Sequence, residues 1–175
     1  MGSLLPGASQ PVWIRTATER DLERLAEYFE GLSRSARYNR FMGTASNLVR
    51  IARDCLVPTR KAECFALVVE SRGPLADVFI GEACYGFDRG SGSGEFAISV
   101  ADRFQRTGLG SALLCAVQSR AISLGYFGLF GETLKGNEEM KSLARTAGFE
   151  FTRSLDWRAV RFDKRLATRP ATRSR

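Results

Sequence analysis

Between Val12 and Phe162 the chain alternates between two hydrophobic periods, and the switches outline its elements. Val12-Trp13-Ile14-Arg15 reads as a first strand. Thr18-Glu19-Arg20-Asp21 has the form of a capping box, with Asp where Glu or Gln is usual. Leu22, Leu25, Ala26 and Phe29 follow at i, i+3, i+4 and i+7, one apolar helical face that ends near Gly31. Residues 33–42 and 47–55 predict one or two further short helices. The period then changes. An apolar run at 64–69, a turn at 71–74, a second run at 78–87, a Gly/Ser-rich turn at 88–94 and a third run at 95–100 predict three antiparallel strands in a meander. Helical spacing returns from Leu109 to Leu124 through Leu113, Leu114, Val117 and Ala121, with Gly125 as the stop. A short strand is expected at 127–130. Asn137 can cap a helix whose first turn carries Glu138 and Glu139, favourable at its positive end, and which closes at Gly148. Closing strands are expected at 149–154 and 157–162. Strands, a crossover helix and more strands make an α/β (α+β) fold, a sheet with helices on its faces.

Length and composition narrow the chemistry. The 175 residues suit one domain over 11–165, with a loose lead-in at 1–10 and a basic, disordered tail at 166–175. There is no histidine, which excludes Ser-His-Asp and Cys-His nucleophile systems and any metal site that needs imidazole. Proton transfer near neutral pH must fall to a perturbed carboxylate, Tyr, Cys, Lys or water. The net charge of +7 invites a nucleic-acid partner. Its placement argues otherwise: residues 31–60 carry six arginines against Asp54, residues 161–175 carry six basic side chains against Asp163, and the remainder is slightly acidic. Cys55, Cys64, Cys84 and Cys115 form no CxxC pair and sit in apolar contexts, so all four read as small buried hydrophobes in a reducing compartment. The start MGSLLPGA has no basic n-region, Pro6 breaks a myristoylation motif, and no apolar run reaches the ~20 residues needed to span a bilayer. A cytoplasmic protein with no membrane or nucleic-acid partner is expected.

The informative stretch runs from Glu95 to Gly110, from a strand through a turn into a helix N-terminus. Such a terminus offers unpaired N–H groups and a positive dipole end to an anion, and glycines at 108 and 110 allow close approach. Two familiar phosphate loops fail: no Lys-Ser/Thr follows the glycines, and Leu113 replaces the third glycine of GxGxxG. On the pattern alone, packing glycines are the competing explanation.

Gln105-Arg106-Thr107-Gly108-Leu109-Gly110 resembles the Q/R-x-x-G-x-G/A pyrophosphate loop of GNAT-type acyl-CoA N-acetyltransferases. Gly125 resembles the end of that family's loop helix, and Asn137 through Gly148-Phe149 its N-x-x-M/A…GF segment. Upstream, residues 32–41 (LSRSARYNRF) look like the LS-x-x-SRY-x-RF segment of the Pat-type bacterial protein lysine acetyltransferases, and residues 95–100 (EFAISV) like their EFA-V-V strand. The similarity spans about residues 12–162.

The resemblance implies a GNAT fold: a mixed, mostly antiparallel central sheet splayed after the fourth strand, with helices on both faces. Acetyl-CoA is the implied cofactor, with no metal. Its pantetheine arm would pair with the backbone of Ile98, Ser99 and Val100, and its pyrophosphate would rest on the amides of Arg106, Thr107, Gly108, Leu109, Gly110 and Ser111. Gln105 and Arg106 could add side-chain contacts, and Asn137 is implied as a contact to the cofactor arm as well as a cap. Glu95 shares a strand face with Ala97 and Ser99 and is implied as the general base that takes the ammonium proton of an amine acceptor. Arg34, Arg37 and Tyr38 are implied on the acceptor side. Arg34, Arg37 and Arg40 recur every three residues and would fan around a helix, so some should pair with the core.

One departure matters. The family often places a Tyr general acid seven residues after the motif Asn; here that position is Ala144, unless Tyr38, Tyr85 or Tyr126 reaches in. The expected reaction is direct acetyl transfer from acetyl-CoA to an amine, a protein lysine or a small molecule. A non-catalytic acyl-CoA-binding regulatory module is the alternative, and self-association into a homodimer is left open.

Overall fold

The computed structural model describes residues 12–57, 63–72, 77–88 and 90–166. Strand β1 (Val12–Thr16) leads through a single 3-10 turn at Glu19–Asp21 into helix α1 (Leu22–Gly31). The predicted capping box forms there: Thr18 and Asp21 exchange side-chain and backbone bonds, and Arg15 grips Asp21 with two 2.8 Å bonds. Residues 33–55 make two helices rather than one. Helix α2 (Arg34–Phe41) starts on the Ser33 hydroxyl and stops at Met42, which adopts a left-handed φ of 53°; α3 (Leu48–Leu56) starts on Asn47.

The meander follows as β2 (Glu63–Arg72), β3 (Asp77–Asp88) and β4 (Ser93–Val100), each antiparallel to the one before. Helix α4 (Leu109–Ser123) crosses over to β5 (Gly128–Leu134), which is longer than the expected strand because it pairs with β7 along all seven of its residues. Helix α5 (Glu138–Thr146) and the antiparallel pair β6 (Glu150–Arg153) and β7 (Ala159–Arg165) complete the described chain. The sheet order is β1-β2-β3-β4-β5-β7-β6, and β4–β5 is its parallel step.

Side-chain alternation sends the sheet's two faces into two cores. One packs Leu67, Val69, Ile80, Phe96, Leu129 and Phe162 against Leu113, Leu114 and Val117 of α4, with Ala144 of α5. The other packs Ala66, Val68, Phe79 and Cys84 against α1 and α3. Helix α2 contributes no buried residue to either. The expectation of four buried thiols is corrected: Cys84 is buried, Cys55 and Cys64 are partly so, and Cys115 lies on the solvent side of α4. The expected tail beyond Leu166 and the lead-in before Val12 lie outside the described residues.

Candidate active site

The parallel β4–β5 ladder holds only from Ser93–Gly128 to Glu95–Phe130. Beyond it β5, which pairs with β7 along its whole length, leaves β4, while β4 continues against β3 to Val100. Gly131 sits where the strands part. A Cβ there would lie 2.6 Å from the Phe162 ring and 3.2 Å from the Phe96 carbonyl oxygen, so only a hydrogen fits. The sheet thus splays between the fourth and fifth strands, as expected, and the parting begins within β4, after Glu95.

Along the open edge, strand alternation decides which backbone groups are free. Ala101 N–H donates to the Ile80 carbonyl at 2.9 Å, so Ser99 and Ala101 turn toward β3 while Ile98 and Val100 face the gap. Ser99 therefore corrects the expectation: its backbone serves the β3 ladder, and its hydroxyl is buried against Glu82. Gln105 is partly committed as well, its side-chain amide donating to the Val100 carbonyl at 3.0 Å. That bond ties the loop to the end of the open edge.

The loop from β4 to α4 turns twice through the left-handed region, at Arg106 (φ 61°) and Gly108 (φ 89°). The Thr107 hydroxyl donates to the Phe104 carbonyl at 2.6 Å and fixes the turn between them. Helix α4 starts at Leu109 with no side-chain cap on its first-turn amides. Gly108 is exposed, and a side chain there would meet open space. Leu109 sends its side chain into the core, so its amide and those of Gly110 and Ser111 point with the dipole toward that space. This fits a phosphate at the helix end and an extended, amide-bearing arm along Ile98 and Val100. Asn137 caps α5, accepting from Met140 N–H at 3.1 Å and donating to the Thr133 hydroxyl at 3.0 Å. One of its two amide hydrogens is left for a ligand.

Glu95 stands at the last position of β4 paired with β5, next to the opening, and no described group hydrogen-bonds to it. Water reaches its side chain, yet surrounding protein removes enough solvent to raise its pKa above the ordinary value; Glu132 on β5 adds to that rise, while Arg161 and Arg40 oppose it. Arg161 lies 3.8 Å over the Phe130 ring and is forked onto Asp163.

The acceptor-side candidates separate. Arg34 and Tyr38 are exposed and line a shallow cavity of about 570 Å³ with Ser33, Ser35 and Asn39. Arg37 folds back onto the carbonyls of Glu30 and Leu32, at 3.0 and 3.2 Å, so it closes the end of α1 instead of facing that cavity. Arg40, the third of the series, points inward to Glu82 at 2.7 Å. Tyr85 and Tyr126 are buried in a stack with Phe87, and Ala144 is fully buried, so among the three tyrosines considered as acids only Tyr38 is exposed.

Sequence reasoning missed Glu82 and Tyr28. Glu82 is fully buried on β3; its carboxylate accepts from Arg40, from the Ser99 hydroxyl at 2.5 Å and from Cys84 at 3.1 Å, and Tyr28 joins through Ser99 at 3.1 Å. The available signal was a charged residue inside the otherwise apolar run 78–87.

Comparisons with known proteins agree with this geometry. A family model, the acetyltransferase (GNAT) domain, matches residues 12–150. The chain is 27% identical over 147 residues to an acetyltransferase of Pseudomonas aeruginosa, covering 83% of this chain and 78% of that protein. Among solved structures it is similar to the GNAT domain of S. lividans PAT, at 25% identity and a TM-score of 0.78, covering 95% of this chain and 96% of that one. It also resembles yncA of Salmonella typhimurium, solved with its cofactor acetyl-CoA, with a TM-score of 0.64, 22% identity and coverages of 91% and 96%. At that identity the second likeness is one of fold.

Proposed function

The chain belongs to the GNAT acetyltransferase family, an acetyl-CoA-dependent N-acetyltransferase, and from that premise we propose that it acetylates protein lysines with Glu95 as the general base. The observation that carries the base assignment is position. Glu95 is a carboxylate with no described hydrogen-bond partner at the point where β4 and β5 separate, with a proton affinity raised by partial loss of solvent and by Glu132. A lysine ammonium must lose a proton before its nitrogen can attack, and a carboxylate with a raised pKa accepts that proton directly or through one water. The protein-lysine acceptor rests on the Pat-like segments at 32–41 and 95–100 and on the likeness to the S. lividans PAT domain.

Bound acetyl-CoA supplies an activated acyl carbonyl and a thiol leaving group. Backbone N–H groups of Ile98 and Val100 orient the arm and polarise the carbonyl. The first-turn amides of α4, from Leu109 to Ser111, hold the pyrophosphate, with Arg106, Thr107 and Gly108 shaping the approach and Gln105 bracing the loop. Arg34 and Tyr38 line the way for the acceptor. The lysine nitrogen would form its amide bond as the C–S bond breaks: Glu95 takes the first ammonium proton, and the second, shed by the nitrogen as the amide forms, would pass through water to the leaving sulfur, since Ala144 offers none. Both reactants are held together, so proximity carries much of the acceleration and no acyl-enzyme is needed.

The test is CoA release with lysine-bearing peptides and, separately, small amines. Lysine peptides should turn over, and Glu95→Gln should lower kcat by roughly 10²–10⁴-fold with acetyl-CoA affinity unchanged. The wild-type rate should fall as pH drops through a midpoint above the ordinary carboxylate range. Turnover of small amines alone would reassign the acceptor. Binding without turnover of anything would leave an acyl-CoA-binding module, and a fully active Glu95→Gln would remove the base.

A further inference from the structure

Helix α2 lines the acceptor-side cavity, yet none of its residues is buried as a whole, and three of its eight are arginines. Its apolar hold on the body comes from Phe41, edge-on to Phe29 at 5.2 Å, and from the partly buried Ala36. Polar pins do the rest. At its start the Ser33 hydroxyl donates to Asp102 at 2.6 Å, and near its end Arg40 enters the protein.

Arg40 meets Glu82 through two bonds, Nε to Oε1 at 2.7 Å and Nη2 to Oε2 at 3.2 Å. The Arg40 side chain is 8% exposed and that of Glu82 is fully buried. Glu82 Oε1 also accepts from Ser99 on β4 and Oε2 from Cys84 on β3, while Ser99 bonds the Tyr28 hydroxyl of α1. One carboxylate thus has every lone-pair direction occupied and ties α1, α2, β3 and β4 together beside the open edge. Stability alone does not require such a pair, because well-packed apolar residues often replace a buried ion pair at no loss.

We propose that the Arg40–Glu82 pair is a positioning device for the transfer site, docking the acceptor-side helix onto β3–β4 and fixing the charge balance that Glu95 faces. The proposal rests on Glu95 as the proton acceptor. The charged groups acting on Glu95 come from three elements: Glu132 on β5, Arg161 on β7, itself paired with Asp163, and Arg40 on α2, paired with Glu82 on β3. Glu82 offsets part of the cation that Arg40 presents.

Opposite outcomes follow for the two partners. Glu82→Gln leaves the Arg40 charge uncompensated, which favours ionised Glu95 and moves its titration midpoint to lower pH. Arg40→Gln removes a cation and moves it to higher pH. Each shift should be at least about half a pH unit. The readout is the Glu95 carboxyl carbon resonance followed by NMR against pH, assigned by its absence in Glu95→Gln. The acid limb of the rate profile should move in the same senses, and acceptor KM should rise in both variants with acetyl-CoA affinity unchanged. If either single variant does not fold, the double variant Arg40→Met/Glu82→Met, which strands no charge, should raise the Glu95 midpoint above wild type. Midpoints that stay at the wild-type value, or that move the same way in both single variants, overturn the proposal. A fully active Glu95→Gln overturns the base assignment instead, and the NMR titration separates the two failures.

Discussion

The two faces of the sheet hold their helices by different physics. Helix α4 lies on an apolar bed in which Leu113, Leu114 and Val117 are essentially unexposed, and its N-terminal end is built from backbone amides and one left-handed glycine. The opposite face has an apolar core of its own under α1 and α3, but its working parts are pinned by charge. Both buried carboxylates among the described residues belong there: Asp21, forked by Arg15, and Glu82, forked by Arg40. The lesson concerns what each side must recognise. A cofactor that presents phosphates and amides is met by backbone geometry, which any sequence of the right shape provides. On the function proposed above, an acceptor and its proton are met by a field of side-chain charges, which has to be set residue by residue.

That contrast can be broken in order of size. Leu113→Ala should cost about 2–5 kcal/mol in urea unfolding, since it empties a fully buried site between α4 and the sheet. On the other face the cost should come through ionisation. Arg15 holds the Asp21 carboxyl down at about 2. In the unfolded chain Asp21 binds its proton near pH 4, so between pH 4 and 2 the unfolded state holds more protons and stability falls as pH falls. Asp21→Asn should cost about 1–2 kcal/mol at neutral pH, allowing for the partial exposure of Arg15, and should flatten the stability–pH profile between 4 and 2. An unchanged profile would show that the capping network contributes nothing through charge. The smallest effect should be Gly108→Ala. Its Cβ meets open space, so the change costs only the left-handed conformation, about 1 kcal/mol. It should nonetheless weaken acetyl-CoA binding in calorimetric titration, where Asp21→Asn should not. Equal effects of both on that affinity would erase the distinction between the faces.

Most elements were legible because their signals are local. The capping box at Thr18–Asp21, the 3.6 period of α1 and α4, the Asn137 cap and the Gly/Ser turn before β4 each act within a few residues. The loop 105–110 and Glu95 stand out as candidates through resemblance, since a lone Gly-x-Gly at a helix start is weak by itself. What misled was direction. Ser99 was expected to face the cofactor, but strand parity turned its backbone to β3. Arg37 was expected on the acceptor side, but the carbonyls ending α1 drew it inward. Cys115 was expected in the core, but it lies one residue past Leu114 on α4, enough to rotate it to solvent.

The sequence by itself determined the elements, the order of the sheet's local hairpins, the anion-ready start of α4 and, through the missing histidine, that a base must be sought elsewhere. Only the tertiary structure decided that β4 and β5 part after Glu95, that Glu82 meets Arg40 across 42 positions of chain, and that Glu95 is left unpaired beside Glu132. The reason is range. Periodicity, caps and turns are set by neighbours along the chain, whereas charge compensation depends on distances between residues that only folding brings together.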